Sequence, residues 1–452
     1  MSAFPEAQYV IDELTDVIES QGSGGSLITV RTEDSEFYGE TITLSDGHTS
    51  MTATMSNQGV AQFSGVTMSG ELTVSATVSG QTYSTTVNVT YYGSYNVELA
   101  MATGIYGVIW DGSSSQAWTR TDDAVDFTDP TPAINNGIGS SPFDSIAPWS
   151  EMEKVNDATC GTMVKIPKFY FKWTQSGSSL KLQISKEAKE GFQVCPACAD
   201  RDGHGERDYV LVGRYHCATS TFKSTTGVKP AASATRDSFR TSIHNLGSNV
   251  WQYDIWTHIT IWMLYLVEYA NWDTQKTIGY GCGNNSGTEN MGYTDGMTYH
   301  TGTSQTDRTT YGVGTQYRYI EGLWDNVLDW CDGIYFSDKD IYVIKNPANN
   351  SDTTGGVKVG TRADAGGYIK SMKQSAVSGY EWFLYPDDCQ GADQDSYVGD
   401  YCYYNASGVV LCVGGNYSQS RGHGLFYLDG SSAASGQVAG IGSRLLKIPS
   451  AS

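Results

Sequence analysis

Hydrophobic and polar positions change period as the chain proceeds. After Pro5, residues Val10, Ile11, Leu14, Val17 and Ile18 form one apolar stripe with Asp12, Glu13, Asp16 and Glu19 around it, the spacing of an amphipathic helix. The pattern ends at Gln21-Gly-Ser-Gly-Gly, a flexible linker. Residues 1–24 therefore read as helix and linker. Such a stripe needs a partner, either another copy or a larger assembly, or its own chain.

From Leu27 to Tyr92 the period becomes two. LITVRT, TITLSD, TSMTATM, AQFSGV, ELTVSATVSG and YSTTVNVTYY are short runs rich in Val, Thr and Ile, divided by Gly, Asp or Asn. Turn signals at roughly 8–12-residue intervals predict an immunoglobulin-like β-sandwich over 25–93. No Cys lies there, so the inter-sheet disulfide of antibody domains is absent.

The remainder, 94–452, reads as one α+β region with few helices. Ser233 to Gly247 carries a capped helix, and Trp256 to Asn271 is apolar nearly all round, which places it in a core. After Tyr280 the chain is dominated by Gly, Asn, Ser, Thr, Asp and Tyr, the composition of long loops that carry binding residues.

Charge narrows the partners. The net charge is −21, only 17% of residues are charged, and no Lys or Arg stands between Arg31 and Arg120. A nucleic-acid binder needs a basic face, so nucleic acid is excluded as a partner. The longest apolar run, Ile255 to Ala270, contains His258 and Glu268, so no membrane insertion is expected. The N-terminus lacks the pattern of an export signal. Nine cysteines, an odd number, argue for buried thiols in a protein made in the bacterial cytoplasm rather than for a disulfide framework.

Four blocks in the second half carry a resemblance: TRDSFRTSIHNLG (235–247), IWMLYLVEYANWDTQKTIGYGCG (261–283), YRYIEGLWDNVLDWCDG (317–333) and GGNYSQSRGHGLFYLDGSSAASGQVAGIGSRLL (414–446). In this order they resemble the C-type lectin fold of formylglycine-generating-enzyme-like proteins. More closely, they are similar to the phage-tail and prophage variable proteins that diversity-generating retroelements mutate. The resemblance implies a receptor-binding virion tail protein that recognises a host-surface protein or glycan. It also implies contacts with other tail proteins through the N-terminal region and a homo-oligomer, with a trimer as the expected form.

In that family substitutions concentrate in the last segment, here about 387–446. The implied scaffold is Gly414, Gly415, Gly424, Phe426, Ser432, Ile441, Gly442, Ser443, Arg444 and Leu445. The implied ligand-facing set is Asp400, Tyr401, Tyr403, Tyr404, Asn416, Tyr417, Ser418, Gln419, Ser420, Arg421, His423, Leu425, Tyr427 and Asp429. Tyr, Ser, Asn and Gly are also what antibody paratopes use, for rigid amphipathic area and adaptable hydrogen bonds. Strand alternation through 425–429 sends Leu425, Tyr427 and Asp429 to one face and Phe426 and Leu428 to the other.

Catalysis finds less support. The family's enzymes use a pair of cysteines, but Cys402 and Cys412 lie in an apolar context with no neighbouring cation to lower a thiol pKa. An oxidoreductase on this fold, or a carbohydrate-binding surface protein without variability, are the alternatives. No cofactor is required by this reading. Cys195 and Cys198, followed irregularly by His204, His216 and Cys217, make a weak zinc pattern. Asp325 to Asp329 offers oxygens for calcium, against the alternative of a buried strand with Asp329 paired locally.

Overall fold

The computed structural model describes residues 24–451, apart from 102, 282, 284 and 405–408. The helix expected over 1–24 lies almost wholly outside the described residues. The chain is mainly β, with 39% of residues in strands and 10% in helices, so strands outweigh the α+β balance expected from the pattern. No helix among the described residues is long and apolar enough to cross a membrane.

Two compact units divide at Thr103/Gly104. In the first, β1 (Ser26–Arg31), β2 (Thr41–Ser45), β3 (Ser50–Thr54), β4 (Val60–Val66), β5 (Gly70–Val78), β6 (Gln81–Val89) and β7 (Ser94–Glu98) form two sheets, ordered β4-β1-β7 and β3-β2-β5-β6. Alternation writes the core directly: Leu72, Val74, Ala76 and Val78 of β5 are buried between polar neighbours. They join Ile28, Val30, Ile42, Leu44 and Phe63 in one cluster. The expected boundary at residue 93 falls too early, because β7 pairs in parallel with β1, Val97 opposite Val30.

In the second unit, β8 (Gly161–Pro167), β9 (Tyr209–His216), α1 (Arg236–His244), α2 (Ile255–Tyr269), α3 (Thr274–Thr277), β10 (Leu328–Ser337), β11 (Tyr401–Tyr404), β12 (Val410–Val413), β13 (Leu428–Ser432) and β14 (Arg444–Lys447) carry the parts that concern the site. All fifteen residues of α2 are buried. Asp254 caps its first turn by accepting the Thr257 N–H, and Ala270 ends it in the left-handed region at φ 48°. Helix α1 starts after Thr235, whose hydroxyl accepts the Ser238 N–H.

Around α2 lie two sheets that concern the tail. One contains β8-β9-β14 in that order, so the C-terminal strand is an interior strand of a sheet begun far upstream. The other runs Val357–Thr361, Asp340–Val343, β10, β12, β13, β11 and Gly367–Tyr368. Every residue of β12 is buried.

Candidate functional site

The tail forms a surface because β11 and β13 pair in parallel, with Cys402 opposite Leu428, Tyr403 opposite Asp429 and Tyr404 opposite Gly430. Cys402 and Leu428 enter the main core beside Leu411 and Val413. Pleating sends Tyr401, Tyr403 and Asp429 to the opposite face. Tyr403 is 46% exposed, and its ring centroid lies 6.3 Å from that of Tyr401. Tyr368 meets Tyr401 edge-on at 5.2 Å.

A turn joins this face from the side. The Tyr427 hydroxyl donates to Asp429 Oδ2 at 3.4 Å and accepts from Gln419 Nε2 at 3.4 Å, and the His423 ring lies 4.6 Å from the Tyr427 ring. Asp429 Oδ1 also accepts from the Ser431 N–H and hydroxyl. Asn416 Oδ1 accepts from the Ser418 N–H and hydroxyl, while Gln419 Oε1 accepts the Asn416 N–H. Tyr417 is half-buried, and Ser418 and Ser420 are exposed on the same loop. Burial holds the His423 imidazole below its usual pKa, against two backbone bonds that favour the cation.

Five members of the expected ligand-facing set lie elsewhere. Leu425 is 0% exposed: residues 424–427 form a turn and β13 begins only at Leu428, so strand alternation does not reach position 425 and both Leu425 and Phe426 enter the core. Tyr427 is buried as a ring, with its hydroxyl at the edge of the surface. Tyr404 faces inward, 5.7 Å from Phe336 and under the Arg362 guanidinium at 4.5 Å. Arg421 turns to the flank, bonded to Asp273 and Asp395 at 2.8 Å each and lying over Tyr280.

Asp400 is the fifth, and its burial has a structural purpose. Its Oδ1 accepts the Gly424 N–H and its Oδ2 the Phe426 N–H, both at 2.8 Å. Burial, reinforced by the charge of Asp273, pushes its carboxyl up to about 7. Gly424 is required beside it, because a Cβ there would stand 2.4 Å from Thr274 Oγ1 and 2.8 Å from Asp400 Oδ2. Of the implied scaffold, all but the half-buried Ser432 is buried, and Gly414 has φ +73° with Leu323 O where a Cβ would stand. Sequence reasoning passed over Tyr368, Tyr280, Asp273, Thr274 and Gln275; Asp273 at the start of Trp-Asp-Thr-Gln was a readable cap signal.

The cysteines need one correction. Cys389 and Cys402 form a disulfide across thirteen residues, while Cys160, Cys195, Cys198, Cys217, Cys331 and Cys412 are buried thiols. Burial pushes the Cys412 thiol well above its usual range. Neither Cys402 nor Cys412 therefore offers a reactive thiolate.

Among the described residues, the zinc and calcium candidates do not gather into one cluster. Cys195 and Cys198 are buried, but His204 is exposed and bonded to Asp202, His216 bonds Asp329, and the Cys217 backbone binds Ser443. The calcium candidates are saturated by protein donors: Asp325 accepts from Tyr293, Gly314 and Thr315, and Asp329 from His216 and Arg444. Glu321 accepts from Gly292 and Thr294. Among the described residues one other group, Asp144, Glu268 and His300, is close enough to share an ion. There the Arg318 guanidinium bridges Asp144 at 3.1 Å and Glu268 at 2.6 Å, supplying the positive charge itself.

No protein-family model matches the chain, and no curated protein sequence matches it.

Proposed function

We propose that the protein is a recognition module of a phage or prophage tail. In this reading an immunoglobulin-like sandwich precedes a C-type-lectin-like domain that binds a host-surface ligand through the Tyr401, Tyr403, His423, Gln419 and Asp429 face. The observation that carries the reading is the convergence of one exposed and one half-buried Tyr, a His, a Gln amide and an Asp along the β11–β13 edge of the sheet, on the side opposite the main core, with Tyr401 resting on a second cluster that includes Cys412 and Tyr427. Rigid aromatic area beside adaptable polar groups is the chemistry of paratopes. The face holds no assembled nucleophile and base, which favours binding over the oxidoreductase alternative. Each contact is weak, and repeated copies in a virion multiply them.

Binding of the labelled protein to a panel of bacterial cells tests this, with protease and periodate treatments separating protein from glycan ligands. Saturable binding lost after one treatment is expected; absence of binding across the panel would count against the reading. Flanking DNA tests diversification separately: a reverse transcriptase gene and an imperfect repeat of the codons for about 400–446 are expected.

A further inference from the structure

The turn that brings His423 to the surface above the buried Tyr427 ring owes little of its shape to its own side chains. Apart from the His423 Nδ1 contact with Ser420 O at 2.9 Å and the bond from the Tyr427 N–H to Gly424 O, its polar groups are bound from outside. Arg421 donates to Asp273, the Gly422 N–H to Gln275 Oε1 at 2.8 Å, the Gly424 N–H to Asp400, the Leu425 N–H to Thr274 Oγ1 at 3.1 Å, and the Phe426 N–H again to Asp400. Three of these four side chains are consecutive, Asp273, Thr274 and Gln275, at the start of α3; the fourth precedes β11. All four are at least nine-tenths buried as residues. The first of them is held in turn by the Lys276 N–H at 2.8 Å, and the Tyr401 N–H returns a bond to Gly422 O at 2.7 Å. Below the turn, Phe426 locks the whole against Trp262 and Trp272, each at 4.9 Å between ring centroids.

We propose that Thr274, Gln275 and Asp400 are positioning residues that set the backbone of residues 422–426 from outside the turn, with Asp273 fixing the Arg421 side chain at its start. The side chains on its rim are thereby released from structural duty and can be exchanged to change what is recognised. A loop shaped by its own Asn, Asp or Ser side chains would change conformation whenever those residues changed. Here the acceptors belong to a buried helix start and strand end, so backbone shape and surface chemistry are controlled by different residues. The purpose assigned to this cradle rests on the recognition reading; its existence does not.

Amide hydrogen exchange on the full chain, without ligand, tests the inference. Thr274→Val keeps the side-chain volume but removes the acceptor of the Leu425 N–H, so exchange across 421–427 is expected to quicken about tenfold or more while Tyr209–His216 keeps its protection. Thr274→Ser restores the hydroxyl and is expected to restore protection, which a purely space-filling role would not require. Asp400→Asn supplies a second opening variant should the first not fold. The combined replacement Ser418→Ala, Gln419→Ala and His423→Ala is expected to leave protection of 421–427 as in the parent. Equal loss of protection in the rim variant, or unchanged exchange in both Thr274→Val and Asp400→Asn, would overturn the inference. Intact protection with no binding to any cell would instead fail the recognition reading alone.

Discussion

Arg444 is fully buried and donates its Nε to the carboxylate of Asp329 at 3.3 Å, tying the last strand of the chain to β10. The same guanidinium bonds the carbonyls of Gly213, Arg214, Glu321 and Gly322, while His216 Nδ1 approaches Asp329 from the other side at 3.0 Å. One side chain thus closes β9, β10 and β14 around the base of the tail segment. Arg444→Met strips four carbonyls and a buried carboxylate of a donor, and is expected to cost about 3–5 kcal/mol in chemical denaturation of the second unit. A loss under about 1 kcal/mol would show that the pair does not carry this closure.

Acid separates two kinds of carboxylate. Burial opposes ionisation of Asp144, but His300 and Arg318 hold it down at about 2, and His216 and Arg444 likewise depress Asp329 against its burial. These groups contribute stability that is present above about pH 4 and is lost as pH falls toward 2. Asp400 has the opposite sign: with its carboxyl near 7 in the fold, the folded state holds a proton that the unfolded state releases near pH 4. Its contribution therefore declines as pH rises from about 4 through 7. Asp400→Asn is expected to flatten the denaturation midpoint between pH 5 and 8; an unchanged slope there would exclude Asp400 as its source.

Surface and core members of the tail segment respond differently. Leu425→Ala empties a fully buried site and is expected to cost about 2–5 kcal/mol. Tyr403→Ala removes a side chain from an exposed position and is expected to change stability by about 0.5 kcal/mol or less. Thermal unfolding of the two variants reads the contrast, and equal shifts would contradict the assignment of faces.

The disulfide gives a separate check. Non-reducing denaturation followed by thiol alkylation is expected to leave Cys389 and Cys402 unmodified while the six thiols buried among the described residues react. Replacing both by Ser opens a short loop and is expected to cost about 3 kcal/mol. Full alkylation without reductant would remove the cross-link from the account.

Much of the fold was legible where a single period rules an element. The continuous apolar run of α2 announced a helix buried on every side, and alternation in Leu72, Val74, Ala76 and Val78 announced a half-buried strand. Tyr401 and Tyr403 share one face of β11 and Tyr404 the other, an alternation that sequence reasoning did not apply there. Leu425 and Tyr427 were not legible, because alternation says nothing about where a strand begins, and the turn before Leu428 turns two successive residues inward. Asp400 looked like a surface acid; its role depends on N–H groups 24 and 26 residues away, a relation no local pattern encodes. Cys389 and Cys402 are joined by a sheet edge, and an odd cysteine count could not point to them.

The central claim is that the outward face of β11 and β13 is where a ligand binds. Its most direct test is cell binding by Tyr403→Ala, which changes the exposed member of the face, beside the rim variant Ser418→Ala/Gln419→Ala/His423→Ala. Tyr427 is left intact because its ring is buried. Loss of at least tenfold in affinity in both variants, with unfolding temperatures within about 2 °C of the parent, is the predicted result. Undiminished binding by two correctly folded variants would contradict the claim and move the site elsewhere on the chain.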